Sequence, residues 1–281
     1  MGIKTILVHL DQREQAAARV AAAAALARRY EAHLIGLAPT GWVMMPADCT
    51  GTLGAAEYEE TMMKLLREAA HESVRRFNAQ ADRLGVASYE GRMEASDVAN
   101  SMVLAAHYCD LTVVTQTEPN EWVTTQSPQM PQEVLLHSGR PLLVLPYAGE
   151  CTIPEDASVL VGWNASREAA RAMHDALPFL KRAAKVQIVV FDAPEDVDRR
   201  HGDLPGADIG LWLARHDVKV EVAHVPTKVA VGEALLSHAA DVSADLIVAG
   251  GYGHSRFRET ILGGVTRTLL RSSPVPVLLS H

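Results

Sequence analysis

The chain has 281 residues, of which 48% are hydrophobic and 21% charged, an ordinary globular composition at a length that suits two domains. Its formal net charge of −8 argues against sequence-independent nucleic-acid binding, because proteins of that class neutralise phosphates with clustered Lys and Arg. No stretch approaches the roughly 18 consecutive apolar residues of a membrane helix. The three widely spaced cysteines predict neither a disulfide framework nor a zinc site, so we expect a cytoplasmic protein without a membrane partner.

The first half follows an alternating strand and helix pattern. A β-branched apolar run, "TILVHL" from Thr5, leads through a polar turn into an alanine-rich helix, and "HLIGL" from His33 predicts the second strand. A long helical segment covers Ala55–Gly85. The runs "DLTVVT" from Asp110 and "RPLLVLP" from Arg140 then predict the last two strands of this half.

The second half repeats this order. "SVLVGWNASREAARA" corresponds to the first strand and helix and aligns Asp11 with Asn164, an offset of 153 residues. "DLIVAG" from Asp245 and "VPVLLSH" from Val275 correspond to the last two strands at an offset of 135, because the long helix shrinks to about Ala207–Asp217. We therefore predict an α/β fold, with two doubly wound, parallel, five-stranded, Rossmann-like sheets in tandem. The expected domains are residues 1–147 and 158–281, joined by a polar linker at residues 148–157.

Glycines are concentrated where the fourth strand of the second half is followed by a helix. In doubly wound folds ligands bind beyond the carboxyl ends of the strands, where glycines let backbone amides approach a phosphate. The first half has Thr115, Glu118, Pro128 and Gln129 at the positions of Gly250, Gly253, Gly263 and Gly264. A carboxylate and a proline prevent the same cradle there. Since the first half makes the same elements without glycines, we favour a phosphate site in the second half over the alternative of a tightly packed turn.

The spacing G-x2-G-x9-G of the second half, followed by "VTRTLLRSSPVPVLL", resembles the nucleotide-binding signature of the universal stress protein family, and so do the openings "ILVHLD" and "VLVGWNASREAARA". The resemblance implies a cytoplasmic stress-response protein whose domains pair through their last strands, in a family where some members bind ATP. It places Asp11 and Asn164 where the family has an aspartate near the nucleotide. The Ser or Thr that usually follows the third glycine is Gly264 here.

The expected nucleotide contacts all lie in the second half. The candidates are Asn164, Phe191, Ala249, Gly250, Gly253, His254, Gly263, Gly264, Val265 and Thr266. On the resemblance, amides of the glycine-rich segment hold phosphates while Asn164 approaches the ribose. Phe191 lies where an adenine could stack, with a core aromatic as the alternative. We expect ATP as the ligand, with or without Mg²⁺, and no protein metal site.

The function that these expectations favour is adenine-nucleotide binding in a tandem universal stress protein, with at most weak ATPase activity, because no residue is evidently placed as a general base. The first half is then a degenerate copy. Its last strand, Pro141–Pro146, would meet Pro276–Ser280 in an intramolecular pseudo-dimer. Two such chains could also form a homodimer. The alternatives are a stress-induced interaction protein that binds no nucleotide and, less favoured, a small-molecule hydrolase that uses the first half.

Overall fold

A computed structural model describes residues 2–43, 54–117, 129–149, 151–192, 206–252 and 264–281. The chain packs into two compact units, residues 2–140 and 141–281. Within the described residues, no helix is long and apolar enough to cross a membrane.

The unit at residues 2–140 is a four-stranded parallel sheet with order β3-β2-β1-β4. Its strands are β1 (Thr5–His9), β2 (His33–Pro39), β3 (Tyr89–Glu94) and β4 (Leu111–Thr115), and its helices are α1 (Gln15–Tyr30), α2 (Ala55–Arg83), α3 (Val98–Ala106) and α4 (Met130–His137). β1 and β4 are buried almost throughout, as expected of strands covered on both faces. The long α2 buries Ala70, Ser73, Phe77 and Ala81, the three- and four-residue spacing of one helix face.

The unit at residues 141–281 is a mixed sheet with order β5-β10-β9-β6-β7-β8. Its strands are β5 (Leu142–Leu145), β6 (Ser158–Gly162), β7 (Lys185–Asp192), β8 (Glu221–Pro226), β9 (Leu246–Gly250) and β10 (Val277–Ser280), and its helices are α5 (Arg167–Leu180), α6 (Ala207–Ala214), α7 (Val231–Asp241) and α8 (Gly264–Ser272). β6, β7, β8, β9 and β10 run parallel. The predicted doubly wound α/β fold is confirmed.

β5 packs with the second unit because it pairs antiparallel with β10, with Leu143 opposite Leu278. Both leucines are fully buried. The contact predicted between Pro141–Pro146 and Pro276–Ser280 is therefore present as strand pairing, and this pairing is what makes the sheet mixed.

Equivalent hydrogen bonds support the internal repeat. The Asp110 carboxylate accepts from the backbone N–H groups of Lys4 and Thr5 at 2.8 and 2.9 Å. Asp245, which lies 135 residues further on, accepts from the N–H of Ser158 at 2.7 Å. In each unit, the aspartate that precedes the fourth strand thus fixes the start of the first strand, so the carboxyl ends of these two neighbouring strands have the same relative position in both units.

Candidate functional site

A cavity of about 200 Å³ lies at the carboxyl ends of β6, β7 and β9. Its lining comprises Gly162, Trp163, Asn164, Val189, Phe191, Val231, Leu235, Ala249, Gly250, Tyr252, Gly264, Val265 and Thr266. Open parallel sheets bind ligands at this edge, next to the point where the strand order reverses. β6 is that point here, since β9 and β7 flank it on either side.

The loop between β6 and α5 is shaped by two local side-chain hydrogen bonds. Asn164 Oδ1 accepts from the N–H of Ser166 at 3.2 Å, and the intervening Ala165 has a left-handed backbone with φ of 53°. Ser166 Oγ then accepts from the N–H of Ala169 at 3.1 Å and caps α5. This sharp turn leaves Asn164 exposed at the cavity, where its side-chain amide nitrogen can donate to a ligand oxygen.

Gly250 ends β9 directly against the first turn of α5. A Cβ at this position would lie 2.5 Å from the backbone nitrogen of Ala169 and 2.7 Å from the carbonyl carbon of Glu168. Neither atom can rotate away, because both belong to the helix backbone. The inference that the fold does not demand these glycines is therefore wrong for Gly250. Because Gly250 has no side chain, β9 and α5 come into direct contact next to the cavity that Gly250 lines.

Gly264 differs from Gly250, because a Cβ added there would meet no atom of the described residues within 4 Å. It is exposed and is the first residue of α8. The first four N–H groups of a helix have no partner within the helix and carry the positive end of its dipole. Gly264 and Val265, the first two residues of α8, therefore place backbone amides of a helix start at the cavity that they line.

Thr266 has a structural contact in addition to its place in the lining. Its Oγ1 accepts from the N–H of Tyr252 at 3.0 Å, and the residue is buried. Tyr252 has a left-handed φ of 58° and follows Gly251, whose N–H donates to the carbonyl of Ser280 at 2.8 Å. The segment that leaves β9 is thus held to both β10 and α8.

The remaining wall is apolar and aromatic. Val189 and Phe191 come from β7, and Val231 and Leu235 come from one face of α7. The Phe191 ring meets His238 edge to face with centroids 6.2 Å apart. Trp163 adds a second large aromatic surface. Apolar walls with a few placed polar groups are typical of pockets that take flat organic rings.

The described lining contains no charged side chain. Glu168, which follows Asn164 by four residues, has a buried carboxylate that is 4% exposed and is paired with Arg167. No group of three or more His, Cys, Asp or Glu side chains in the described part of the chain could hold a metal ion. Within the described lining, an anionic ligand would be met by the amides at the start of α8.

Seven of the ten predicted residues line this cavity, namely Asn164, Phe191, Ala249, Gly250, Gly264, Val265 and Thr266. Gly253, His254 and Gly263 lie outside the described residues. Sequence reasoning missed the other six lining residues, namely Gly162, Trp163, Val189, Val231, Leu235 and Tyr252. The four-residue spacing of Val231 and Leu235 is typical of one helix face and could have predicted that they point to the same side. Trp163 could have been predicted because it directly precedes Asn164.

The corresponding position in the first unit holds a buried ion pair. Asp11, the counterpart of Asn164, lies 2.9 Å from Nη2 of Arg19 and 3.5 Å from Nδ1 of His9. Burial alone would raise the pKa of Asp11, but the charge of Arg19 holds that pKa below its ordinary value. Burial lowers the pKa of His9 to about 3, so this imidazole is neutral. Asp11 is thus engaged by Arg19 and His9, whereas Asn164 remains exposed.

Comparison with known proteins identifies the second half. Residues 157–281 match the family model described as the universal stress protein family. This half of the chain is a universal stress protein domain. A 46-residue stretch is 39% identical to a curated universal stress protein of Synechocystis sp., and it spans 16% of this chain and 16% of that relative.

Solved structures of similar fold cover both halves of the chain, and not only the universal stress protein domain. A universal stress protein from Archaeoglobus fulgidus has a TM-score of 0.75 at 18% identity and covers 98% of this chain and 95% of its own. A protein of unknown function from Pseudomonas aeruginosa has a TM-score of 0.58 at 13% identity over 99% and 92% of the two chains. A universal stress protein in complex with cAMP matches 53% of this chain and 100% of its own at 18% identity, with a TM-score of only 0.37. Likeness at these identities shows the fold alone.

Proposed function

We propose that the second half, with residues 158–281 as its domain, binds an adenine nucleotide, ATP, and hydrolyses it slowly or not at all. The observation that carries this proposal is the placement of the start of α8 on an apolar cavity at the carboxyl ends of β6 and β9. The cavity offers separate surfaces for a flat base and for an anion, and a nucleotide needs both.

Each part of the nucleotide has a partner of suitable chemistry. The base packs among Val189, Phe191 and Val231, which supply an apolar wall. The phosphates approach the amides of Gly264 and Val265, and helix starts favour phosphate through both hydrogen bonding and the dipole. Asn164, exposed at the cavity, reaches the ribose hydroxyls. Magnesium, where it accompanies ATP, would be held by the phosphates, because the described lining has no carboxylate.

The residues of the described lining also argue that bound ATP is not hydrolysed efficiently. A general base must lie within hydrogen-bond reach of the attacking water. The described lining contains no carboxylate and no imidazole, and Glu168 is buried in its pair with Arg167. We therefore expect a bound nucleotide to persist.

The test is a calorimetric titration of ATP into the full chain and into Gly264→Asp. Among the described residues no atom lies within 4 Å of a Cβ at this position, and an acidic residue at a helix start favours the helix. Like-charge repulsion should nevertheless weaken ATP binding by about tenfold or more. Leu211→Asp is the matched control, because Leu211 is exposed on α6 and is not among the residues of the lining.

The expected pattern is saturable binding in the wild type and in Leu211→Asp, with a loss in Gly264→Asp at unchanged thermal stability. A folded wild-type chain that takes up no ATP would overturn the proposal and favour the interaction-protein alternative. Equal affinity in all three proteins would show that the start of α8 is not the phosphate site.

A further inference from the structure

One peptide unit at the rim of the second-unit cavity is held from two opposite directions. The peptide between Gly251 and Tyr252 donates through the Tyr252 N–H to Oγ1 of Thr266 at 3.0 Å. Its carbonyl oxygen, on Gly251, lies 3.0 Å from Nδ1 of His281. In a trans peptide the N–H and C=O groups point in opposite directions. The side chains of Thr266 and His281 therefore fix the plane of this peptide between them.

His281 is the donor in its hydrogen bond and is itself firmly placed. A backbone carbonyl can only accept, so Nδ1 of the imidazole carries a hydrogen and donates it. His281 follows Ser280, the last residue of β10, which is 1% exposed. Oγ of Ser280 donates to Oδ2 of Asp175 on α5 at 3.0 Å, and the Ser280 carbonyl accepts from the N–H of Gly251 at 2.8 Å. The imidazole thus extends from a strand end that is bonded to α5 and to the segment after β9.

The backbone of Tyr252 shows that this orientation needs support. Tyr252 has a φ of 58°, in the left-handed region that is unfavourable for residues with a Cβ. Rotation of the Gly251–Tyr252 peptide by half a turn would change this φ by about 180°, into the extended region that such residues prefer. The left-handed conformation is therefore retained against a local preference, and the hydrogen bonds to Thr266 and His281 stabilise it.

The orientation of the peptide decides which of its groups faces the start of α8. Tyr252 and Thr266 line the cavity, and Thr266 belongs to the first turn of α8 together with Gly264 and Val265. In the structure the N–H points to this turn, and the carbonyl points to the residue that follows β10. After a half-turn the carbonyl oxygen would face the helix start instead. Its partial negative charge would then oppose the binding of an anion there.

We propose that His281 is a positioning residue of this site, which holds the Gly251–Tyr252 peptide with its N–H toward α8. It acts through the peptide and not by contact with a ligand. The consequence for an anionic ligand rests on the proposed function, whereas the orientation of the peptide does not. The two parts are therefore tested by separate measurements.

Amide hydrogen exchange in the full chain without nucleotide tests the orientation. In His281→Phe, which cannot donate, we expect the Tyr252 amide to exchange about fivefold faster, because one of the two hydrogen bonds that hold the peptide is lost. His281→Gln keeps a side-chain N–H donor and should restore most of the protection. The Gly251 amide is bonded to the Ser280 carbonyl and belongs to the preceding peptide, so it should exchange as in the wild type in both variants.

This neighbouring amide distinguishes positioning from a general stabilisation of the strand end. If the Gly251 and Tyr252 amides accelerated equally in His281→Phe, His281 would only prevent fraying of β10, and the proposal would be overturned. An unchanged Tyr252 amide would overturn it too. So would equal exchange in His281→Phe and His281→Gln, because the donated hydrogen would then be irrelevant.

Calorimetric titration of ATP tests the consequence for the site. We expect the affinity of His281→Phe to fall by about fivefold and that of His281→Gln to stay within about twofold of the wild type. Unchanged affinity in His281→Phe, at an accelerated Tyr252 amide, would overturn the positioning role in ligand binding. A wild type that binds no ATP would refute the proposed function alone, because hydrogen exchange would still decide whether His281 holds the peptide.

Discussion

Replacement of Gly250 by alanine should separate β9 from α5. The added Cβ would lie 2.5 Å from the nitrogen of Ala169, 2.7 Å from the carbonyl carbon of Glu168 and 3.0 Å from the Cα of Ala169. Ordinary contacts of this kind begin near 3.4 Å, so helix and strand must move apart by about 1 Å. The helix start is held in place by the Ser166 cap, and it therefore resists this movement.

The magnitude follows from the cost of overpacking. One extra methyl group in a site that cannot rearrange costs about 1–3 kcal/mol. Replacing glycine in a strand recovers about 0.5–1 kcal/mol through the smaller entropy of the unfolded chain. We therefore expect Gly250→Ala to lower the free energy of unfolding by about 1–2 kcal/mol, which corresponds to roughly 5 °C in the midpoint of thermal unfolding.

Gly264→Ala is the matched control for this experiment. It makes the same chemical change at the other end of the same segment, where a Cβ meets nothing within 4 Å. Urea unfolding followed by far-ultraviolet circular dichroism should show a change of at most about 0.5 kcal/mol for this variant. If Gly250→Ala were as stable as Gly264→Ala, the close approach of β9 to α5 would not be what requires glycine at position 250.

Three further predictions concern the two sites. Gly264→Ser restores a hydroxyl at the start of α8 and should tighten ATP binding by roughly five- to thirtyfold in calorimetry, whereas Gly264→Ala should not tighten it. Trp163 lines the cavity, so ATP should change the tryptophan fluorescence, and this response should disappear in Trp163→Phe; its persistence would place the nucleotide elsewhere. Because the pKa of His9 falls from 6.5 to about 3 on folding, the unfolded state binds more protons between these values, and stability decreases as the pH falls through this range. His9→Gln should remove about 2 kcal/mol of the loss between about pH 7 and pH 5 in urea unfolding, and an unchanged loss would show that His9 is not responsible.

Much of the fold could be predicted from local patterns. The runs "TILV", "LTVV" and "LIVA" are short, apolar and β-branched, which suits strands buried on both faces, and they form β1, β4 and β9 in the structure. The offsets of 153 and 135 also predicted which residues follow the first and fourth strands. The position of the cavity then follows from the topology alone, because parallel strands of a doubly wound sheet present their carboxyl ends at one edge.

The roles of individual glycines could not be derived in the same way. Gly250 and Gly264 are equivalent in the sequence argument, since both replace larger residues of the first half. The structure separates them, because a Cβ at Gly250 would collide with the backbone of α5, whereas a Cβ at Gly264 would meet no atom of the described part of the chain within 4 Å. That difference depends on where a helix start lies in three dimensions relative to the strand. A spacing motif carries no information about such a distance.

Arg19 was missed for a related reason. It lies in the alanine-rich helix α1, where an arginine is ordinarily taken for a surface residue. Burial of the whole side chain is tolerated because Asp11, the His9 carbonyl and Thr115 lie next to its three nitrogens, and one of these partners, Thr115, is 96 residues away in the sequence. The sequence did contain one indication of this difference, because the repeat offset aligns Arg19 with the small residue Ala172.

The two units show how one fold can carry different side chains where its first and fourth strands end. The backbone hydrogen bonds at the first strand and at the following turn are equivalent, as the pairs Asp110 and Asp245 and Asp11 and Asn164 demonstrate. What differs is side-chain volume and charge where the first and fourth strands end. In the first unit the Thr115 hydroxyl accepts from Nη1 of Arg19, whereas in the second unit Gly250 lets β9 contact the backbone of α5 directly. Divergence at these positions changes the ligand chemistry without disturbing the sheet, so each site's function must be derived from its own residues rather than from the shared fold.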